Sequence, residues 1–300
     1  MSLFRIWQTA LWEWSEAIRS RRALVILLLY LASAVLCMNG AISVLGKMET
    51  ELAAVLQLPQ SENTGVVSAS LWRSKPFNKM VRAAVGDGPV LDDISGRHPV
   101  ELLYAWFAFL CAPLLAVLVC GNRISDDLRS GSVRYMLVRE SRLEWSLGKF
   151  AGQTLMVALA LAASSLGAAA VAFCRLSPGT AAELLPAMLN WGVRAWVYSL
   201  AWIGLALGIS HLTRSSGRAT AMGILAICVF SALPAVLRFG HAHYGWPDAL
   251  LQLQMLFPDA AESRLWRFDA VPLAAGSFHL LLLGMVYFMA GAAAFSRRDV

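Results

Sequence analysis

The sequence predicts an all-α integral membrane protein with six transmembrane helices and an amphipathic helix before the first of them. Of its 300 residues, 58% are hydrophobic and only 15% are charged, whereas about a quarter of a soluble domain is usually charged. The apolar residues form blocks of about twenty, the length that crosses a hydrocarbon core of roughly 30 Å. These blocks lack the alternation of barrel strands, so we expect helices.

Residues 1–22 are predicted to form a cytoplasmic amphipathic helix in the membrane interface. Side chains spaced by three and four residues share one face of a helix. The apolar face carries Phe4, Trp7, Leu11, Trp14 and Ile18. The opposite face carries Arg5, Thr9, Glu13 and Glu16. Because tryptophan favours headgroup depth, we expect the apolar face to contact lipid. A helix packed on a soluble partner is the alternative.

Residues 23–295 are predicted to form the transmembrane domain. The apolar blocks place its six spans at about 23–46, 100–121, 150–173, 188–210, 219–237 and 271–295. Lys47–Leu58, directly after the first block, is expected to be helical. Pro178 and Pro186 predict a short link between the third and fourth spans, because proline disrupts helix interiors.

The distribution of Lys and Arg predicts the orientation. Fourteen of the 25 basic residues lie in the N-terminal segment, the 122–149 loop, the 211–218 loop and the 296–300 tail. Short loops rich in Lys and Arg stay in the cytoplasm. Both termini are therefore predicted to be cytoplasmic, and residues 47–99 and 238–270 to be extracytoplasmic. This bias also explains the net charge of +6 without nucleic acid as a partner.

The 122–149 loop combines charged, apolar and turn-forming residues. In order, it contains Asp126, Asp127, Gly131, an apolar patch at Val133 and Tyr135–Val138, and the flanking Arg134 and Arg139. Ser141 and Glu144 fit a capping box, so a helix should begin near Arg142 and continue into the third span. From the residues alone, the loop is either a protein-docking site or a turn that touches lipid headgroups.

The order of these motifs resembles the membrane subunit, or permease, of ABC-2-type transporters. That family has an acidic stretch, a glycine, an apolar run, a basic residue and a Gly-Lys pair that opens the third span. The matching residues here are Asp126, Asp127, Gly131, Tyr135–Val138, Arg142, Gly148 and Lys149. The tail at 295–299 and the segment Leu256–Asp259 are also similar to family motifs. The resemblance includes permeases of bacterial ABC exporters and of nitrous oxide reductase maturation systems.

The resemblance implies an ABC-2 (type V exporter-like) fold in the bacterial inner membrane and ATP-driven transport of an unidentified substrate. ATP and Mg would be bound by a separate ABC ATPase, in two copies, with no cofactor on this chain. A second permease copy, forming a homodimer, would complete the pathway. The coupling helix that contacts the ATPase would involve Asp126, Asp127, Gly131, Arg134, Tyr135, Met136 and Arg139.

Other residues suggest packing, a pathway or metal binding. Gly204 and Gly208 form a G-x-x-x-G pattern, which indicates either helix packing within the protomer or a dimer seam. Asn190 and Arg194 could line a pathway, although Arg194, like Glu101, could also be an interfacial anchor. His241 and His243 could bind copper or zinc, but without an obvious third ligand an aromatic belt explains this segment better.

The sequence contains no catalytic signature such as H-E-x-x-H or G-x-S-x-G. We therefore expect a transport subunit rather than an enzyme. The segment 47–99 is longer than in minimal ABC-2 permeases and leaves another function open. In that alternative the chain is a membrane anchor that transmits force to a periplasmic partner through residues 47–99.

Overall fold

The computed structural model describes residues 2–56, 72, 78–79, 81–82, 88–138, 140–176 and 178–297. Within these ranges the chain is almost entirely helical, and no strand occurs. In chain order, the α-helices are α1 (Leu3–Arg19), α2 (Arg21–Leu56), α3 (Pro89–Ile94), α4 (Pro99–Cys120), α5 (Arg123–Ser130), α6 (Ser132–Met136), α7 (Arg142–Arg175), α8 (Pro178–Leu212), α9 (Ser216–Tyr244), α10 (Asp248–Gln252), α11 (Asp259–Leu265) and α12 (Ala270–Ser296). A 3-10 helix, Leu253–Leu256, joins α10 to α11.

Six of these helices, among the described residues, are long and apolar enough to cross a membrane. They are α2, α4, α7, α8, α9 and α12, so the predicted all-α membrane fold with six spans is confirmed. The first span continues as one helix to Leu56. The helix predicted for Lys47–Leu58 is therefore an extension of α2, and its last two residues lie outside the described part of the chain.

The link predicted through Pro178 and Pro186 is wrong. Helix α8 begins at Pro178 and passes through Pro186 without a break. A proline at the start of a helix loses no hydrogen bond, because the first N–H groups have no partner within the helix. A proline inside a membrane helix is tolerated where neighbouring groups satisfy the carbonyl that it leaves unbonded.

Helix α8 lies at the centre of the bundle and packs most closely on α12. Gly204 and Gly208 face the backbone of α12 at Gly284 and Tyr287. A Cβ atom added at Gly208 would lie 2.5 Å from the Tyr287 carbonyl oxygen, so only glycine permits this approach. Small residues at such crossings let two helix backbones come together. The two glycines thus pack within the protomer.

Helices α2 and α9 are the least buried spans. Helix α2 exposes Leu24, Leu28, Leu29 and Leu36, and α9 exposes Met222, Leu225, Val229 and Val236. Apolar surfaces of this extent need a lipid or protein environment. The other spans pack around α8. Clusters of charged and polar side chains lie at the two ends of the bundle, one beside α1 and the other beside α11.

Candidate coupling site at the α1 end of the bundle

Helix α1 lies along the beginning of α7 and buries part of its polar face there. Thr9, Ala10, Glu13 and Ala17 are almost completely buried. The aromatic and aliphatic side chains of the opposite face, including Phe4 and Trp7, are exposed. The apolar side chains therefore share an exposed face, as the spacing predicts, whereas on the predicted polar face Thr9 and Glu13 are buried and Arg5 and Glu16 are exposed. Contact of the exposed face with the membrane interface stays a prediction.

Two glycines of α7 allow α1 to approach closely. A Cβ atom at Gly148 would lie 2.5 Å from Thr9 Cβ, and one at Gly152 would lie 3.0 Å from the Ala10 carbonyl oxygen. Larger side chains at these positions would push α1 away from α7. The glycine of the Gly-Lys pair thus has a packing role.

The adjacent Lys149 connects α1 to the 122–149 loop. Its ammonium group forms an ion pair with Glu13 of α1 and lies 2.6 Å from Asp127 Oδ2 of α5. Lys149 is only 2% exposed and Glu13 is fully buried. Buried charges of this kind are stable only when paired, since the loss of either partner leaves an uncompensated charge. We call Glu13, Asp127 and Lys149 the charge triad.

Neighbouring polar groups complete the environment of the triad. Gln153 Nε2 donates a hydrogen bond of 2.7 Å to Glu13 Oε1. Arg123 Nε lies 3.9 Å from the same oxygen atom. The rings of Trp12 and Trp145 lie 5.6 and 5.7 Å from Lys149 Nζ, within the range of cation–π attraction. The triad is therefore held by side chains from three helices, α1, α5 and α7.

Helices α5 and α6 form the part of the loop that projects beyond the triad. Gly131 separates them with φ of 73°, in the left-handed region that favours glycine. Ser132 Oγ donates to Asp127 Oδ1 over 3.2 Å, so the first residue of α6 contacts the triad directly. The backbone N–H of Ser125 donates to Ser210 Oγ of α8 over 3.0 Å. The base of the loop is thus fixed to the bundle.

The tip of the loop presents apolar and basic side chains. Val133 is completely buried and anchors α6, whereas Tyr135 and Val138 are 82% and 84% exposed. Arg134 is exposed and Met136 is half-buried. Arg139, for which the family resemblance also implies a role in ATPase coupling, lies outside the described residues. An exposed tyrosine beside an arginine and a valine is typical of a protein contact surface.

Asp126, the other acidic residue predicted for coupling, acts within the loop. Asn122 Nδ2 donates to Asp126 Oδ2 over 2.5 Å, and Arg129 Nη2 lies 3.6 Å from the other carboxylate oxygen. Asp126 therefore stabilises α5, in contrast to Asp127, which contacts the buried lysine. The sequence does not distinguish the roles of these two neighbours.

The return from the loop into α7 has the predicted capping box. Ser141 accepts a hydrogen bond from the Glu144 N–H, and the Glu144 carboxylate accepts one from the Ser141 N–H. The same carboxylate accepts a bond of 2.7 Å from the backbone N–H of Ser2, directly before α1. Thr9 Oγ1 donates to the Glu140 carboxylate over 2.8 Å. The loop and α1 are therefore attached at several points besides the triad.

The residues predicted to line a pathway brace the opposite end of the bundle. Arg194 Nη1 donates to the carbonyl oxygens of Leu265 and Arg267 over 2.7 and 2.9 Å, and its Nε donates to Asn190 Oδ1 over 3.3 Å. Glu101 accepts a 2.8 Å bond from Trp191 Nε1. Arg194 is only 6% exposed, so here it holds the segment between α11 and α12. Its pathway role stays a prediction.

His241 and His243 make local contacts. His241 Nδ1 lies 2.8 Å from the Trp246 carbonyl oxygen, and the His243 ring stacks on Phe239 with centroids 4.1 Å apart. Over the part of the chain that the structure describes, no three His, Cys, Asp or Glu side chains form a group that could hold a metal ion.

Sequence reasoning placed Glu13 on the polar face of α1 and Lys149 in a family motif, but it did not pair them. The available signal was a carboxylate on a face that cannot contact lipid and a lysine at the start of an apolar span. Each needs a buried partner of opposite charge. Their separation of 136 residues concealed the contact.

These features define a polytopic membrane subunit. Its N-terminal helix, which has an exposed apolar face, and its projecting loop are joined through one buried ionic centre. Residues 7–300 match the model of the ABC-2 family transporter proteins, and the chain belongs to that family. It is thus a membrane permease subunit of an ABC transporter rather than an enzyme, and the family implies an ABC ATPase partner. No curated protein matched the chain. The similarity to nitrous oxide reductase maturation permeases is not confirmed, and the anchor alternative gains no support.

Proposed function

We propose that the 122–149 loop docks on the partner ABC ATPase and that the charge triad transmits the movement of the ATPase to the spans. The single observation that carries this proposal is the position of the exposed Tyr135 and Val138 directly beyond a buried ionic centre. An exposed turn that served only solubility would need neither feature. ATP and Mg are bound by the ATPase in this proposal, and this chain binds no cofactor.

The connections of α6 support a mechanical role. Force on Tyr135 reaches Val133 and Ser132, and Ser132 bonds to Asp127. Asp127 is paired with Lys149 at the start of α7, and Lys149 with Glu13 of α1. Because Lys149 and Glu13 are buried and Asp127 is only 20% exposed, separating these charges is costly, so α5, α7 and α1 move as one body. A push on the loop therefore tilts the third span together with α1.

The docking test compares charge reversal inside and outside the loop. We expect Arg134→Glu combined with Tyr135→Ser to abolish co-purification with the ATPase encoded beside this chain and to remove ATPase stimulation. Arg297→Glu is the matched control, because it reverses an exposed arginine at the same end of the bundle. Unchanged association of the double variant would refute the docking role.

We also propose that both termini and the loop are cytoplasmic in a bacterial inner membrane, as the distribution of Lys and Arg favours. Val138→Cys in a background without the five native cysteines tests this orientation, since position 138 is 84% exposed. A membrane-impermeant maleimide should label it only in inverted vesicles. Labelling in intact cells would place the loop outside and exclude contact with a cytoplasmic ATPase.

Two permease copies with two ATPases form the proposed assembly. The family resemblance and the exposed apolar faces of α2 and α9 support it. Mass photometry of the purified complex in nanodiscs should give the mass of a two-plus-two assembly. A mass equal to one copy of each subunit would contradict this stoichiometry.

A further inference from the structure

A cavity of about 620 Å³ lies at the end of the bundle opposite α1. Its walls come from α3, α4, α8, α9 and α11, and from Trp266 directly after α11. Cavities of 300–1,000 Å³ with a few convergent polar groups are typical binding sites for small molecules. The docking and transmission functions proposed above do not use this cavity.

The polar groups of the cavity carry an excess of negative charge. Asp259 and Glu262 of α11 line it, and Arg238 of α9 is the facing cation. Tyr198 donates a hydrogen bond of 2.7 Å to Asp259 Oδ1 and holds that carboxylate in place. Burial raises the pKa of Asp259, and burial together with Asp259 raises the pKa of Glu262 to about 7. Both carboxylates would therefore gain from an added positive charge.

The other helices that pack against α11 do not place a second cationic side chain in the lining of the cavity. The residues that α4 contributes to the cavity are apolar or aromatic. On α12, the His279 ring lies 2.9 Å from the Met255 carbonyl oxygen, and Tyr287 donates to the Leu256 carbonyl oxygen. Arg238 Nε itself donates to the Pro234 carbonyl oxygen over 3.3 Å. Among the lining residues, Arg238 is thus the cation that opposes two carboxyl groups.

Aromatic rings form the wall beside the carboxylates. Phe109 lies 5.3 Å from Trp266 and 5.4 Å from Tyr198 between ring centroids, and Trp106 also lines the cavity. Aromatic faces next to carboxylates are a favourable environment for organic ammonium groups, which combine positive charge with an apolar surface. A small hydrated anion would be repelled by the carboxylates and would gain nothing from the aromatic faces.

The surroundings of the cavity are apolar on the side that faces away from the bundle. Leu110, which lines it, is 81% exposed, and α9 exposes Val236 and Phe239 beside Arg238. A surface of this composition at a membrane span faces lipid. A ligand can therefore keep its hydrocarbon part in the bilayer while its polar group occupies the cavity.

We propose that this cavity binds the ammonium group of an amphiphile that enters from the lipid side, between Asp259, Glu262 and the aromatic wall. The assignment of this amphiphile as transport cargo rests on the proposed function, whereas its binding does not. The ammonium group has two possible sources, a singly charged alkylammonium and a zwitterionic phospholipid. For the second source, Arg238 is placed to contact the phosphate.

The test measures binding of radiolabelled dodecyltrimethylammonium and lysophosphatidylcholine to the full-length chain in lipid nanodiscs, with empty nanodiscs subtracted. Asp259→Asn combined with Glu262→Gln should weaken dodecyltrimethylammonium binding at least tenfold. Asp248→Asn is the matched control, because Asp248 is an acid near the same end with its side chain 89% exposed. Equal binding by the double variant, or an equal loss in the control, would overturn the proposal.

A variant of opposite sign separates a binding effect from misfolding. Arg238→Gln removes the opposing cation and should tighten dodecyltrimethylammonium binding severalfold, which a misfolded protein cannot do. The same variant should weaken lysophosphatidylcholine if the zwitterion is the natural source, and lysophosphatidylcholine should not bind specifically if the singly charged amphiphile is. No tightening of dodecyltrimethylammonium would count against the cavity.

The ATPase is absent from this binding assay, so the two hypotheses fail independently. Loss of docking in the Arg134 and Tyr135 double variant should leave amphiphile binding unchanged. Conversely, neutral carboxyls at 259 and 262 should leave ATPase co-purification unchanged. If the amphiphile binds but does not change the activity of an intact, docked ATPase, the cavity is a binding site and is not the cargo site.

Discussion

The two ends of this bundle treat buried charge in different ways. At the α1 end, Lys149 contacts both Glu13 and Asp127, and further donors from Gln153 and Arg123 surround the glutamate. At the opposite end, Asp259 and Glu262 border an open cavity. Compensation is thus complete inside the protein at the first end and incomplete at the second.

This difference separates two kinds of function. A compensated ionic centre is rigid, because moving any member separates charges in a medium of low dielectric constant. It is suited to holding a loop against a helix while force passes through. Carboxyls with raised pKa values in a cavity are suited to a ligand that brings the missing charge. The same chemistry therefore favours transmission at one end and binding at the other.

Removal of Lys149, the cation of the charge triad, should have the largest effect on stability and on ATPase stimulation. Lys149→Met removes the ammonium group that pairs with both Glu13 and Asp127, and leaves Glu13 with Arg123 at 3.9 Å. The loss of one partner of a buried pair typically costs about 3–5 kcal/mol. We expect a large fall in the thermal unfolding midpoint of the purified chain and loss of ATPase stimulation. Differential scanning fluorimetry and an ATPase assay of the complex measure these two effects.

A second substitution tests whether the loss is electrostatic. Glu13→Gln in the Lys149→Met background removes the more deeply buried of the two carboxylates that lost the lysine, and should restore a large part of the unfolding midpoint. Arg129→Met is the control for loss of a cation from the same region, since the Arg129 side chain is 69% exposed. An unfolding midpoint of Lys149→Met equal to that of wild type would show that the triad does not stabilise this end.

Local patterns in the sequence were sufficient to predict most of the fold. The six apolar blocks, the exposed apolar face of α1 and the capping box of Ser141 and Glu144 depend on neighbours within a few turns, and the structure contains all of them. Pro186 was misinterpreted because proline disrupts helices in water, whereas helices of membrane proteins tolerate it more often, and α8 continues through this residue.

Contacts between distant residues were beyond sequence reasoning. Asp127 and Lys149 lie in the predicted loop, but the third member of the triad comes from α1. The cavity depends on Tyr198, Arg238 and Asp259 meeting from three helices, and no periodicity relates them. Such sites are defined by packing, which determines the partners of each charge only after the chain has folded.

The carboxyl of Glu262 should make the stability of the cavity end depend on pH. Its pKa is about 7 in the folded chain and ordinarily 4.5, so the unfolded chain binds fewer protons between these values. The contribution of Glu262 to stability therefore falls as pH rises from 4.5 to 7. Glu262→Gln removes this dependence, and its unfolding midpoint should exceed that of wild type by an amount that grows from pH 5 to pH 7.5.

The variant must be compared with wild type at each pH, because His98 changes the stability of the chain with pH in the direction opposite to Glu262. Burial lowers the pKa of His98 to about 4 from 6.5, so its contribution to stability rises as pH increases between these values. His98 is present in both proteins and cancels in the difference of their midpoints. A difference that stayed constant from pH 5 to pH 7.5 would show that Glu262 is already ionised in the folded chain.

The smallest effect is expected at the partly exposed ion pair between Asp93 and Arg267, which contrasts with the buried pair of Glu13 and Lys149. Both side chains retain about a fifth of their exposure, 21% and 23%. Water and salt screen such pairs, so their net contribution is small. We expect Arg267→Gln to lower the unfolding midpoint by no more than about 2 °C, and 0.5 M NaCl to abolish even this difference.

Scanning fluorimetry of wild type and Arg267→Gln at low and high salt measures this difference, with Arg297→Gln as the control for charge alone. A salt-resistant loss as large as that of Lys149→Met would mean that exposure does not determine how strongly ion pairs stabilise this protein, and the contrast between its two ends would need another explanation.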